Sequence, residues 1–80
     1  MKRFLVSGTY TAGPHAGESF LLVRGGYVAP DSGRPPIYGT YATEMIARQV
    51  AGKYNKRNAW ESRSCKQIPP CKYTAVAIEY

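Results

Sequence analysis

Histidine, cysteine and acidic residues are scarce in this chain, and each shortage excludes a chemistry. The 80 residues contain one histidine, His15, two cysteines, Cys65 and Cys71, and five carboxylates. A structural zinc site takes four Cys or His ligands, and these residues supply three at most, so no metal is expected. His15 sits in a Gly-Pro loop where Glu18 could orient it. No serine or cysteine is placed by a motif to act as its nucleophile, and the scattered carboxylates form no acid and base pair. No enzyme and no cofactor are expected, and no glycine-rich phosphate loop occurs. A membrane-length apolar run is missing as well. Met1-Lys2-Arg3 followed by Phe4-Leu5-Val6 begins like a signal peptide, but Ser7 ends the apolar stretch, so a first strand is expected there. Cys65 and Cys71 enclose Lys-Gln-Ile-Pro-Pro. One such pair is a thin framework for a stapled domain, and free thiols are expected.

The chain does hold a strongly uneven charge. Residues 48–72 contain Arg48, Lys53, Lys56, Arg57, Arg63, Lys66 and Lys72 against Glu61 alone, which accounts for the whole formal net charge of +6. Elsewhere Lys2, Arg3, Arg24 and Arg34 balance Glu18, Asp31, Glu44 and Glu79. A clustered field of one sign steers association with the opposite sign, so an anionic partner is expected. Apolar residues at 44% and charged residues at 20% describe a folded chain rather than a disordered one, and a length of 80 residues allows one domain spanning residues 1–80 with a modest core.

Along the chain, residues 4–11 are rich in strand formers, with Phe4, Val6 and Tyr10 on one face at period two. A turn-rich stretch over residues 12–17 leads to the apolar run of residues 19–24, and the two are expected to pair as an antiparallel hairpin. Gly25-Gly26 reads as a bulge before Tyr27-Val28-Ala29. Residues 30–36 read as a loop, and Ile37-Tyr38 as a short third strand. Thr40 is the expected N-cap of a helix through about Tyr54, with Glu44 favourably placed in its first turns. Ala42, Ile46, Val50 and Tyr54 form its buried stripe, and Glu44 precedes Arg48 by four residues, the spacing of a surface pair. Residues 55–63 read as a basic connector, because the two asparagines favour chain reversal. Residues 64–68 read as a strand ended by Pro69-Pro70. The final strand, over residues 73–80, is expected inside the sheet, where its apolar side chains avoid an exposed edge. The fold class is α+β: a four- to five-stranded, mostly antiparallel sheet with one helix packed on one face.

The candidate partner- or nucleic-acid-binding residues are Arg48, Lys53, Lys56, Arg57, Trp60, Arg63, Lys66 and Lys72. Lysine and arginine on a helix end and the loop after it can contact phosphates, and Tyr54, Trp60 and Tyr73 interleave with them as rings able to stack on bases. Tyr54 also falls on the core stripe, and Trp60 could equally cap the core. A second class is a protein-binding inhibitor or adaptor, since seven tyrosines and one tryptophan suit an interface.

A lone domain of this size, with an antiparallel sheet, one helix and no active site, resembles the small proteins that phages and mobile elements use against host defence, including anti-CRISPR proteins. The resemblance covers the whole chain, lies in organisation rather than motif, and transfers no functional residue. It implies a cytoplasmic protein of an infected or host bacterial cell that binds a host nucleic-acid-processing complex. Lys53, Lys56, Arg57 and Arg63 would meet an acidic protein surface or the bound nucleic acid and block access sterically. Many such inhibitors are acidic mimics of nucleic acid, whereas this chain is basic, which disfavours mimicry.

Overall fold

The computed structural model describes residues 1–24, 27–29 and 35–80, with the backbone alone for residues 27–29. The expected bulge at Gly25-Gly26 and most of the expected loop, residues 30–34, lie outside them. Strands β1 (Lys2–Tyr10) and β2 (Ser19–Val23) form the expected antiparallel hairpin, with Val6 opposite Leu22 and Gly8 opposite Phe20. The ring of Phe20 lies across Gly8, where any Cβ would collide with it, so that glycine is needed for close approach. Strand β4 (Cys71–Glu79) pairs antiparallel with β1 along its whole length, from Lys2 opposite Glu79 to Tyr10 opposite Cys71. The body of the sheet is thus a three-stranded antiparallel unit, β2-β1-β4, and the three-residue strand β3 (Tyr27–Ala29) pairs antiparallel with β2 on its far side.

The final strand is therefore an edge strand, contrary to the expectation that it lies inside the sheet, and β1 holds a central place. The apolar content of β4 is covered by the helix on one face. Part of its outer main chain, at Cys71 and Tyr73, is satisfied by helix side chains.

The helix α1 (Glu44–Ser64) corrects the sequence expectation at both ends. Thr43, rather than Thr40, is the N-cap, its Oγ1 accepting the Ile46 N–H at 3.3 Å. The segment expected to be a basic connector, residues 55–63, is helical throughout. Asparagine disfavours helix interiors because its amide competes for nearby main chain. Here that competition is removed, since Asn55 and Asn58 both bond to the final strand instead. Because the helix runs to Ser64, the residues expected as a strand at 64–68 are its last residue and a turn, closed by Ile68 N–H to Cys65 C=O at 3.2 Å.

Ala47 and Ala51 are buried at the helix–sheet contact, where small side chains bring α1 close to Val6 and Leu22. Val50, Tyr54 and Tyr73 close the sides of this core. A chain of rings runs through it: Tyr10 to Phe20 at 5.3 Å, Phe20 to Tyr73 at 6.0 Å, and Tyr73 to Tyr54 at 5.4 Å between centroids. Ile46, placed on the core stripe from sequence, is exposed, as is Ala42.

On the face of the sheet away from α1, Leu5 and Val23 are fully buried. The segment at residues 35–41 comes back to that side. Ile37–Gly39, expected as a third strand, is a short 3-10 helix. Gly39 lies against the Val23 side chain, and Tyr41 takes the place beside Phe4 in a single bridge to β1. Thr40, fully buried, accepts from Arg3 Nε at 2.8 Å and donates to the Ile37 carbonyl at 2.6 Å. The residue read as a helix cap is instead the anchor of this crossover.

Candidate anionic-partner interface

The extension of α1 to Ser64 turns a set of basic loop residues into a rigid surface. At about 100° per residue, Lys53, Lys56, Arg57, Trp60 and Arg63 share roughly 120° of the helix circumference, opposite buried Ala47 and Ala51. From Lys53 to Arg63 the face is about 15 Å long. Trp60 lies within it and is 65% exposed, so it does not cap the core. All four cations of the face are exposed.

The charges on this face differ in their freedom. Arg57 Nε lies 2.5 Å from Glu61 Oε1, and that hydrogen bond and charge together push the guanidinium further above its ordinary range. Arg63 Nε donates to the Ala59 carbonyl at 3.1 Å and keeps its charge outward. Lys53 and Lys56 have no carboxylate within ion-pair distance among the described residues. These two lysines flank the indole and are the freest donors on the face.

Three of the sequence-selected residues fall elsewhere. Arg48 is on the flank of α1 towards β4 and pairs with Glu44 at 3.0 Å, the i,i+4 pair expected from sequence. Lys66 lies in the turn after α1. Lys72 is one residue out of phase with Cys71 and Tyr73, which puts it on the sheet face away from the helix. Of the three rings read as stacking platforms, Tyr54 and Tyr73 pack against the core and only Trp60 faces outward. Burial pushes the Tyr73 hydroxyl up to about 12, with neighbouring Cys71 adding to the shift.

Two residues that sequence reasoning passed over hold the surface in place. Asn55 donates to the Tyr73 carbonyl at 2.9 Å and accepts the Tyr73 N–H at 2.7 Å. Asn58 donates to the Pro69 carbonyl at 3.1 Å and accepts the Cys71 N–H at 2.8 Å. Each asparagine presents one donor and one acceptor to the strand edge, as a neighbouring strand would. Their three-residue spacing on one helix flank, just upstream of a terminal strand, was the available signal.

His15 donates to or accepts from Glu18 through a 2.5 Å Nδ1–Oε2 contact, and both side chains are exposed in the loop between β1 and β2. Among the described residues, no hydrogen bond joins His15 to a serine, threonine or cysteine, and no cluster of three or more His, Cys, Asp or Glu could hold a metal ion. Cys65 and Cys71 are free thiols, and partial burial pushes the Cys71 thiol up from its ordinary value. No described helix is long and apolar enough to cross a membrane.

The fold and surface define a small α+β domain with one long helix whose outward face is basic and carries an exposed tryptophan. No family model, curated protein or solved structure matches this chain.

Proposed function

We propose that this four-stranded α+β domain is a non-enzymatic binding protein that docks the outward face of α1 on an anionic partner. In the leading form of the proposal it is an inhibitor of phage or mobile-element origin, of the anti-CRISPR type, that sterically blocks a host nucleic-acid-targeting complex. The observation that carries the docking face is the alignment of Lys53, Lys56, Arg57 and Arg63 around exposed Trp60 on the side of α1 away from the sheet. A solvent-facing tryptophan among cations is well suited to anchoring an interface. The host-complex context rests on the resemblance in organisation.

Exposure of Trp60 also favours a second form, in which α1 binds DNA or RNA directly. Cations hold phosphates and the indole stacks on an unpaired base. Fluorescence anisotropy of labelled single-stranded and duplex oligonucleotides, titrated at low and moderate salt, separates the two forms. Single-strand binding that falls steeply with salt establishes the direct form; no binding at low salt leaves the acidic protein surface.

The double reversal Lys53→Glu with Lys56→Glu tests the face itself. It removes the two unpaired cations without placing a glutamate opposite Glu61, as reversal of Arg57 would. Binding to the oligonucleotide, or block of target loading on a reconstituted host complex, is expected to be lost with thermal unfolding unchanged. Retention of both activities in this variant would overturn the docking face.

A further inference from the structure

The outer edge of β4 is sealed along one half and open along the other. Met1 and Tyr80 exchange both main-chain hydrogen bonds, so the alternation of an antiparallel ladder directs the odd-numbered residues of β4 outward. Asn55 occupies both outward groups of Tyr73, and Asn58 accepts the outward Cys71 N–H and donates to the Pro69 carbonyl beside it. Among the described residues, nothing bonds the outward N–H and C=O groups of Ala75, Ala77 and Glu79. Natural edge strands are blunted by lysine, proline or a bulge. Residues 73–78 contain no lysine or proline, and the register with β1 is unbroken.

We propose that this open edge pairs antiparallel with β4 of a second copy of the chain, centred on Ala77, joining two sheets into one. In that register Ala77 faces its own copy and Ala75 faces Glu79, so the outward groups of all three residues are satisfied and no like charges stand opposite each other. The docking surface is independent of the basic face of α1.

Three features favour a second copy over a foreign strand. The helix runs antiparallel to β4: Asn58 reaches Cys71, Asn55 reaches Tyr73, and Arg48 and Gly52 share a groove of about 360 Å³ with Thr74 and Ala75. Given a rise of about 1.5 Å per helical residue and about 3.3 Å per strand residue, the first turns of α1 lie level with Ala77. A two-fold axis at Ala77 therefore sets two α1 N-terminal segments side by side in opposite directions. Glu44 of one copy approaches Arg48 of the other, and Met45, 69% exposed in the single chain, meets its counterpart.

Charge distribution agrees with this arrangement. The cationic residues of α1 lie towards its C-terminal end, so the two basic faces sit on the same side of the joined sheet but at opposite ends. The Cys71 ends of the two strands are about 40 Å apart. Repulsion between two chains of +6 is thereby kept away from the contact. Gly52 is the third feature. Glycine weakens a helix interior, and a Cβ at Gly52 would meet nothing within 4 Å, so the single chain makes no use of it. In the groove it leaves room for the second copy's strand to pass beside α1.

Sedimentation equilibrium over rising protein concentration, without nucleic acid, tests the pairing together with amide exchange of the same samples. The expected mass rises towards twice that of the chain, and the amides of Ala75, Ala77 and Glu79 gain protection in step with it. Ala77 is exposed, so Ala77→Lys and Ala77→Glu keep the fold, checked by thermal unfolding. Each variant alone is expected to remain monomeric, and an equimolar mixture of the two to associate. A wild-type chain that stays monomeric at every concentration overturns the proposal, even if it binds an extended peptide from another protein. So does a dimer whose residues 75–79 remain unprotected, or one that survives in both variants separately.

Discussion

The two ends of the α1–β4 layer solve the same problem of an exposed strand edge in different ways. At the Cys71 end the helix reaches across with Asn55 and Asn58, which bond the outward N–H of Cys71 and both outward groups of Tyr73. At the Glu79 end the helix flank carries Glu44, Arg48 and Gly52, and the outward main chain of Ala75 and Ala77 has no partner among the described residues. The cationic charge follows the same division, with Lys53, Lys56, Arg57 and Arg63 on the sealed half and a balanced Glu44–Arg48 pair on the open half. Where the chain seals its own edge, it can concentrate charge for another molecule. Where it leaves the edge open, it keeps charge low.

The largest effect is expected from breaking the seal. Asn55→Ala leaves the part-buried N–H and C=O of Tyr73 without partners, at a cost of about 2–4 kcal/mol, measured by denaturant unfolding. Ala77→Ser at the open end, where no bond is lost, should stay within about 0.5 kcal/mol of the parent. Equal losses at the two positions would erase the distinction between the ends.

A smaller effect separates the ends by binding. Under the direct nucleic-acid form of the proposal, Trp60→Ala at the sealed end should weaken single-strand binding by about 1–3 kcal/mol for each base stacked, with little change in thermal unfolding because the ring is exposed. Met45→Ala at the open end should leave oligonucleotide binding unchanged. Anisotropy titrations of the two variants compare them directly, and a Met45 effect as large as that of Trp60 would deny the sealed half its special role.

The smallest effect is alkaline. The Tyr73 hydroxyl is raised from 10.0 to about 12 in the folded chain, so the folded state holds its proton more tightly than the unfolded state. That contribution to stability is fully present below pH 10 and is lost as pH rises to about 12. Tyr73→Phe should flatten this part of the stability profile, followed by circular dichroism. An unchanged alkaline slope would mean that other groups set it.

Much of the strand plan was legible in the sequence because alternation at period two needs only near neighbours. The β1–β2 hairpin follows from the apolar positions of residues 4–10 and 19–23, and the terminal strand from Val76 and Ile78. The helix was legible in its first half from the helical spacing of Ala42, Ile46, Val50 and Tyr54, although Ala42 and Ile46 are exposed and the buried pair is Ala47 and Ala51 beside that stripe. Residues 55–63 read as a connector because local preference alone counts Asn55 and Asn58 against a helix, yet α1 runs on to Ser64. The candidate site was legible as a list of charges but not as a surface. Arg48, Lys66 and Lys72 belong to the same cationic stretch as Lys53 and Lys56, yet helix phase, the turn and strand alternation carry them to other sides.

The amino-acid sequence by itself determined the α+β composition of the chain, the hairpin, the start of the helix to within three residues and the confinement of net charge to residues 48–72. Each of these depends on residue type and short-range periodicity. Only the tertiary structure decided that β4 is an edge, that Thr40 anchors a crossover, and that Trp60 faces outward with the lysines. Those outcomes depend on which main-chain groups meet across the sheet. The amides of Asn55 and Asn58 find their partners 18 and 13 residues away, at Tyr73 and Cys71, and no local pattern encodes a bond that forms only after the helix has docked.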